Sequence, residues 1–388
     1  MTADARDRYR SRIGATLGVP SAHVTLFAKG RVALYGILRA LGIGPGDEVI
    51  LPAFTCVAVP NAIIYAGARP IYVDIDPATY TIDPAAVAGR IGSRTRAILA
   101  QNTFGLSADL DALEHAAASH GLVVIDDCTH GLGGTYRGRP NGSVAATSFF
   151  STQWSKPIST GLGGFAIVRD DALAATLRRL EDGAPEPSAI RSGLLRVLTF
   201  GADHAGHGRA FRTGRSAYRA LSRTGLVPGS SDREELEGIT MPDGFLSRLS
   251  PWQARLGSAR MRRLDADVEG RRAIAHRYST WLASHDRTAA AEPDGSTHAF
   301  LRYPLRVADR PAFTERAERA GVDLGDWFVS PIHPVLDGLD RWGYEPGSAP
   351  VAERACAEIV NLPTGPRLSE RDIARVLGFL AANVATIR

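Results

Sequence analysis

Two lysines, Lys29 and Lys156, stand among 45 basic residues that are otherwise all arginine. Mutational bias towards arginine codons accounts for most of that imbalance. Arginine stays protonated in proteins, however, and cannot replace lysine where a neutral amine must attack a carbonyl. A lysine retained against the bias is a candidate for Schiff-base chemistry. On this argument alone the two lysines are equivalent.

Their surroundings differ. Lys156 closes the run Ser148-Phe-Phe-Ser-Thr-Gln-Trp-Ser-Lys156, and Gly161-Leu-Gly-Gly164 follows, where the backbone must turn sharply and pass close to something. Ser151 and Ser155 offer hydroxyls to a phosphate. Upstream, the apolar run Leu122–Ile125 leads straight into Asp126-Asp127, with His130 just beyond. A carboxylate set against a pyridinium nitrogen keeps that nitrogen protonated and makes the ring an electron sink. Taken alone, the aspartate reads equally well as a turn or helix N-cap, and His130 as a packing residue. The third element is Lys29-Gly30-Arg31. It opens a helix-like stretch, whose N-terminal N–H groups and dipole form an anion site, with Lys29 or Arg31 adding a charge-assisted contact. Each element alone is weak. Together they supply an amine, a partner for a ring nitrogen and a phosphate cradle, the three parts that pyridoxal 5′-phosphate (PLP) requires.

The elements that must position these groups alternate in type. Short apolar runs at Glu48–Pro52, Pro70–Val73, Ala97–Ala100, Leu122–Ile125, Thr147–Phe150 and Gly164–Val168 predict strands. Helix-like stretches near 31–42, 56–67, 82–91 and 108–120 lie before or between the first four. Strands separated by helices of this length predict an α/β fold with a mainly parallel sheet covered on both faces, and in such sheets ligands collect at the carboxyl ends of the strands. Residues 181–245 break the pattern. Within them, 188–230 hold seven arginines against one acid, Asp203, which reads as a solvated connection, a basic cover over an anionic substrate, or a membrane contact. From Ser250 a second unit is expected: a long helix over 251–285, a strand at Ala299–Val307, and helices near 311–320 and 369–387. The predicted division is a large domain over 1–245 and a smaller α+β domain over 246–388.

Composition narrows the function classes. No apolar run is long enough to span a bilayer, and the first residues carry no apolar leader, so a cytoplasmic location is expected. Three scattered cysteines make neither a disulfide framework nor a metal site. A net charge of +4 gives no reason to expect nucleic acid. A dinucleotide-binding oxidoreductase is disfavoured, because no GxGxxG follows a strand with an acid about 20 residues on.

Five segments carry a resemblance. LGIGPGDEVILPAFTCVAVPNAIIYAGARPIYVDIDPATYTID (41–83), GLVVIDDCTHGLGGTYRGRPNGS (121–143), the lysine segment, LSPWQARLGSARMRRLD (249–265) and Ile359–Pro363 together resemble the DegT/DnrJ/EryC1/StrS family of fold-type I PLP proteins, mostly sugar aminotransferases. The resemblance implies a mainly parallel, seven-stranded type of sheet between helices, and a homodimer with the active site at the subunit interface. It implies that Lys156 forms the Schiff base and shuttles the proton, and that Asp127 binds the pyridine nitrogen. His130 stands where the family has glutamine near the phenolic oxygen, and Gly30, Arg31 and Ser151 would hold the phosphate. Three positions depart from the pattern. Cys56 stands where an aromatic ring stacks on the cofactor, Leu162 replaces an acid, and the asparagine expected near Leu246–Arg248 is absent. The implied reaction moves an amino group from glutamate or glutamine to a keto-sugar, nucleotide-linked in much of the family, or to a cyclic ketone. The alternative is a non-transaminating PLP enzyme or a PLP-binding regulatory protein. A dehydratase branch replaces the lysine with histidine, and Lys156 argues against it.

Overall fold

The computed structural model describes residues 4–204, 229 and 233–388 of the chain. Its centre is one seven-stranded sheet. The strands are β1 (Val24–Phe27), β2 (Glu48–Pro52), β3 (Arg69–Val73), β4 (Thr95–Gln101), β5 (Val123–Asp127), β6 (Thr147–Ser151) and β7 (Gly164–Val168). Their spatial order is β1-β7-β6-β5-β4-β2-β3. Neighbours from β3 to β6 pair in parallel, while β7 runs antiparallel to both β6 and β1. Six of these strands coincide with the apolar runs, to within a few residues at each end. β1 was not anticipated.

The continuous apolar runs have a direct cause. Successive strand residues point to opposite faces, and here both faces are buried. Val49, Leu51, Ala97, Leu99 and Ile125 join one core, together with the helices Gly30–Ala40 and Ala58–Tyr65. Ile50, Ile98, Ala100 and Val124 join another, with the helix Leu110–Ala118. The same alternation separates the two acids that end β5. Asp127 shares the parity of Ile125 and Asp126 that of Val124, so the adjacent carboxylates leave the sheet on opposite sides.

The predicted long helix over 251–285 is two helices, Pro251–Met261 and Leu264–Ala283, broken at Arg262-Arg263. The predicted strand over Ala299–Val307 is ordered as a strand only at Tyr303–Arg306, which pairs antiparallel with Ile359–Leu362. These two strands pack with the second of those helices and with the helices Arg310–Arg319 and Glu370–Ala382 around a third core. Part of the arginine-rich stretch forms the helix Ala189–His204. The rest of the proposed basic cover, from 205 to 228, lies outside the described residues. Among the described residues no helix is long and apolar enough to cross a membrane.

Candidate active site

Lys156 sits on a loop closed at its base by paired threonines. Thr160 N donates to the Thr152 carbonyl at 2.7 Å, Thr152 N donates to the Gly163 carbonyl at 2.8 Å, and the two threonine hydroxyls lie 2.7 Å apart. Gly163 has φ 154°, and a Cβ on it would fall 2.4 Å from the Thr152 hydroxyl oxygen, so glycine is required there. Gln253, from the first helix after 250, donates its amide to the Leu162 and Thr160 carbonyls. Leu162 thus stands where an acid was expected, buried, with its carbonyl as its polar contact.

The side expected to meet a phosphate is assembled by close approach. A Cβ on Gly30 would lie 2.9 Å from Ser151 Cβ, and one on Gly164 would lie 2.4 Å from Gly30 Cα. The end of β6, the start of β7 and the first turn of the helix Gly30–Ala40 therefore touch backbone to backbone. One residue here escaped sequence reasoning. Glu235, fully buried, places its carboxylate 2.6 Å from the Arg31 guanidinium and 3.4 Å from Lys29 Nζ. Nothing in its local sequence, REELE, marks it.

The opposite wall comes from far along the chain. Thr55-Cys56 forms a short parallel ladder with Ile332-His333, pairing His333 with Cys56. That ladder holds the preceding segment, Trp327-Phe328, against the sheet. The His130 ring stacks parallel on Trp327 with centroids 4.6 Å apart and an interplanar angle of 9°. Lys156 Nζ lies 4.7 Å from the centre of the same indole, and the Arg302 guanidinium carbon lies 5.3 Å from it. Trp327 supplies an aromatic surface in a site whose expected aromatic position is Cys56. Neither Trp327 nor Arg302 was anticipated; a tryptophan in the stretch GDWF was the available signal.

The electrostatics follow from this geometry. Burial pulls the Lys156 ammonium down to about 8; the Arg302 and Arg31 guanidiniums push the same way, while Cys56 and Asp127 oppose. Burial raises the Asp127 carboxyl, opposed by hydrogen bonds from Thr129, whose N–H donates at 2.9 Å, and by Lys156. Burial, then Lys156, Arg302 and His333, hold His130 far below its usual range, so its imidazole is neutral at pH 7. Asp126, on the other face, accepts from Asn102 Nδ2 at 2.5 Å and from Gly142 N at 3.0 Å, and burial raises it to about 6.

Gly30, Arg31, Cys56, Asp127, His130, Ser151 and Lys156 are thus gathered at the carboxyl ends of β5 and β6. The donor set fits PLP. His130 Nδ1 is buried with no hydrogen-bond partner, aligned with a flat aromatic surface, and a side chain at position 30 would collide with Ser151 and the Phe150 carbonyl, so the helix N-terminus comes close to the end of β6 only with glycine there.

Two outcomes follow. The rate at which apoprotein takes up PLP covalently should rise with pH through about 8, because the attacking amine is the deprotonated form. At pH 8 about half of Lys156 is neutral, where an ordinary lysine is less than about 1% neutral. A stopped-flow pH profile that keeps rising towards pH 10 would contradict this. Second, Asp127→Asn should lower turnover by roughly 10²-fold or more, while Asp126→Asn, on the far face, should change it less than about tenfold. Equal losses would show that strand parity does not decide which acid serves the site.

Comparison with known proteins bears on the assembly as a whole. The sequence matches the profile of the DegT/DnrJ/EryC1/StrS aminotransferase family over residues 4–200 and 211–381. It is 30% identical to a pleiotropic regulatory protein of Geobacillus stearothermophilus over 91% of this chain and 82% of that protein. It is 29% identical to GDP-perosamine synthase of Caulobacter vibrioides over 92% of this chain and 85% of that enzyme. The crystal structure of the aminotransferase TlmJ from Streptoalloteichus hindustanus superposes with a TM-score of 0.76 at 27% identity, covering 98% of this chain and 91% of that one. The chain therefore belongs to the DegT/DnrJ/EryC1/StrS aminotransferase family and is a PLP-dependent transaminase.

Proposed function

We propose that this enzyme transfers an amino group from glutamate or glutamine to a keto-sugar, nucleotide-linked or otherwise, with Lys156 as the residue that carries the cofactor and moves the proton. The observation that carries the proposal is Lys156, its ammonium lowered by burial, set between a strand-end aspartate and an aromatic wall. The nucleotide-sugar activity named for the Caulobacter relative supports the acceptor class. A homodimer and a cytoplasmic location belong to the same reading. Apolar side chains left exposed at Ile190, Val197, Phe200 and Leu336 are consistent with a further subunit contact.

When bound, PLP supplies an electron sink that allows the α-proton of an amino acid to leave. The chain's own groups make that productive. Asp127 would meet the ring nitrogen, its carboxylate stabilised as an anion by the protonated ring. Neutral His130, whose buried Nδ1 has no protein partner, would offer a ring nitrogen to the phenolic oxygen. Gly30, Arg31 and Ser151 would hold the phosphate end, through backbone N–H groups, the guanidinium and the hydroxyl. Lys156 Nζ, neutral in a substantial fraction near pH 8, would take the α-proton and return it to the cofactor carbon on the other side of the nitrogen, two bonds away. Cys56 and Trp327 would lie against the bound cofactor and help to keep water from it.

The decisive experiment is a single half-reaction. Holoenzyme mixed with excess glutamate or glutamine, without acceptor, should release stoichiometric oxo acid as the long-wavelength absorbance of the covalently bound cofactor disappears. Persistence of that absorbance with no oxo acid would exclude both amino acids as donors. A panel of keto-sugars and cyclic ketones against the aminated enzyme then identifies the acceptor.

A further inference from the structure

The turn that opens the helix Gly30–Ala40 has a cation on each side of its glycine, Lys29 before it and Arg31 after it. One acid pairs with both. The Glu235 carboxylate lies 2.6 Å from the Arg31 guanidinium and accepts from Lys29 Nζ at 3.4 Å. The group is almost withdrawn from solvent: 13% of the Lys29 side chain is exposed, 6% of that of Arg31 and none of that of Glu235. Opposite charges at this depth stay together, because parting them leaves a desolvated ion without its counter-charge. A single carboxylate thus staples residues 29 and 31 across Gly30.

The staple is fixed from behind. Glu235 belongs to the short helix Arg233–Glu237, far along the chain from the turn it pairs with. Its carbonyl accepts from Asn61 Nδ2 at 2.8 Å, and Asn61, fully buried, accepts in turn from Trp342 Nε1 at 2.6 Å. Arg341 Nη1 donates to the Glu237 carbonyl at 2.9 Å. The acid is therefore anchored to the helix Ala58–Tyr65 and to residues 341–342 independently of its two cations. On its other side the turn has no room. A Cβ on Gly30 would lie 2.9 Å from Ser151 Cβ, and one on Gly164 would lie 2.4 Å from Gly30 Cα. Backbone N–H groups hold an anion only over a narrow range of distance, and a glycine leaves the chain more freedom than such a contact tolerates.

We propose that Glu235 is the positioning residue of the phosphate cradle. It pins Lys29 and Arg31, and with them the Gly30 turn whose backbone would meet the phosphate of PLP. The inference rests on the reading of that turn as the phosphate site, and adds the residue that holds it in place. It also reverses the sign that charge alone would give. Glu235 is an anion beside a site for an anion, so simple repulsion makes its removal tighten phosphate binding. Loss of position weakens it.

The test titrates apoprotein with PLP and with pyridoxal, the same aldehyde without the phosphate, following the long-wavelength absorbance of the bound cofactor. Glu235→Gln should weaken PLP binding by about 10- to 100-fold and change pyridoxal binding by less than about threefold. Glu235→Asp, which keeps the charge on a shorter arm, should fall between Glu235→Gln and the unmodified enzyme. Unchanged or tighter PLP binding in Glu235→Gln would overturn the inference. So would equal losses for the two probes, which would mark a general loss of structure. Should Glu235→Gln fail to fold, Glu235→Asp decides: affinities for both probes equal to those of the unmodified enzyme would overturn the inference, and a loss confined to PLP would support it. If the unmodified enzyme binds pyridoxal as tightly as PLP, the phosphate reading of the turn falls and the inference with it. A preference for PLP that survives intact in Glu235→Gln removes the inference alone.

Discussion

An amine attacks a carbonyl only after losing its proton, and a lysine in water holds that proton far above neutral pH. The site depends on overcoming that constraint at Lys156. Withdrawal from solvent does most of the work, and two guanidiniums approaching from different parts of the chain push in the same direction. The counterweight is Asp127, close enough to moderate the shift and buried enough that its own proton affinity rises.

The fold meets the constraint through strand parity and long-range pairing. Two consecutive aspartates at the end of β5 leave the sheet on opposite faces. Asp126 is absorbed into structure by Asn102 and Gly142, and its neighbour is delivered to the site. The short ladder between Thr55-Cys56 and Ile332-His333 then brings the Trp327 wall across to Lys156. Neither device alone makes a site. The β5 acid without the far wall would face solvent, and the far wall without the closed loop of Thr152 and Thr160 would have no amine to cover.

Much of this was legible because parallel strands buried on both faces write themselves as unbroken apolar runs. What escaped detection was charged, short or distant. The first helix, Ala5–Leu17, buries Tyr9, Ile13 and Leu17 at helical spacing, but its sequence looks polar. Arg6 and Arg10 are buried on that helix because Glu186 and Glu181 neutralise them. β1 is only four residues long, too short for periodicity to register. Hydropathy ends the β5 run at Ile125, whereas hydrogen bonds carry the strand through Asp127. The residues gathered around Lys156 were found because their types are chemically scarce. Arg302 was hidden in a chain where arginine is the default cation, and Glu235 and Trp327 reach the site only through tertiary contacts.

The most direct measurement is where the cofactor is joined. With only Lys29 and Lys156 available as side-chain amines, borohydride reduction of holoenzyme followed by peptide mapping has a nearly binary result. The account predicts the reduced label on the peptide containing residue 156 and nowhere else. Label on Lys29, or none on protein saturated with PLP, would contradict it.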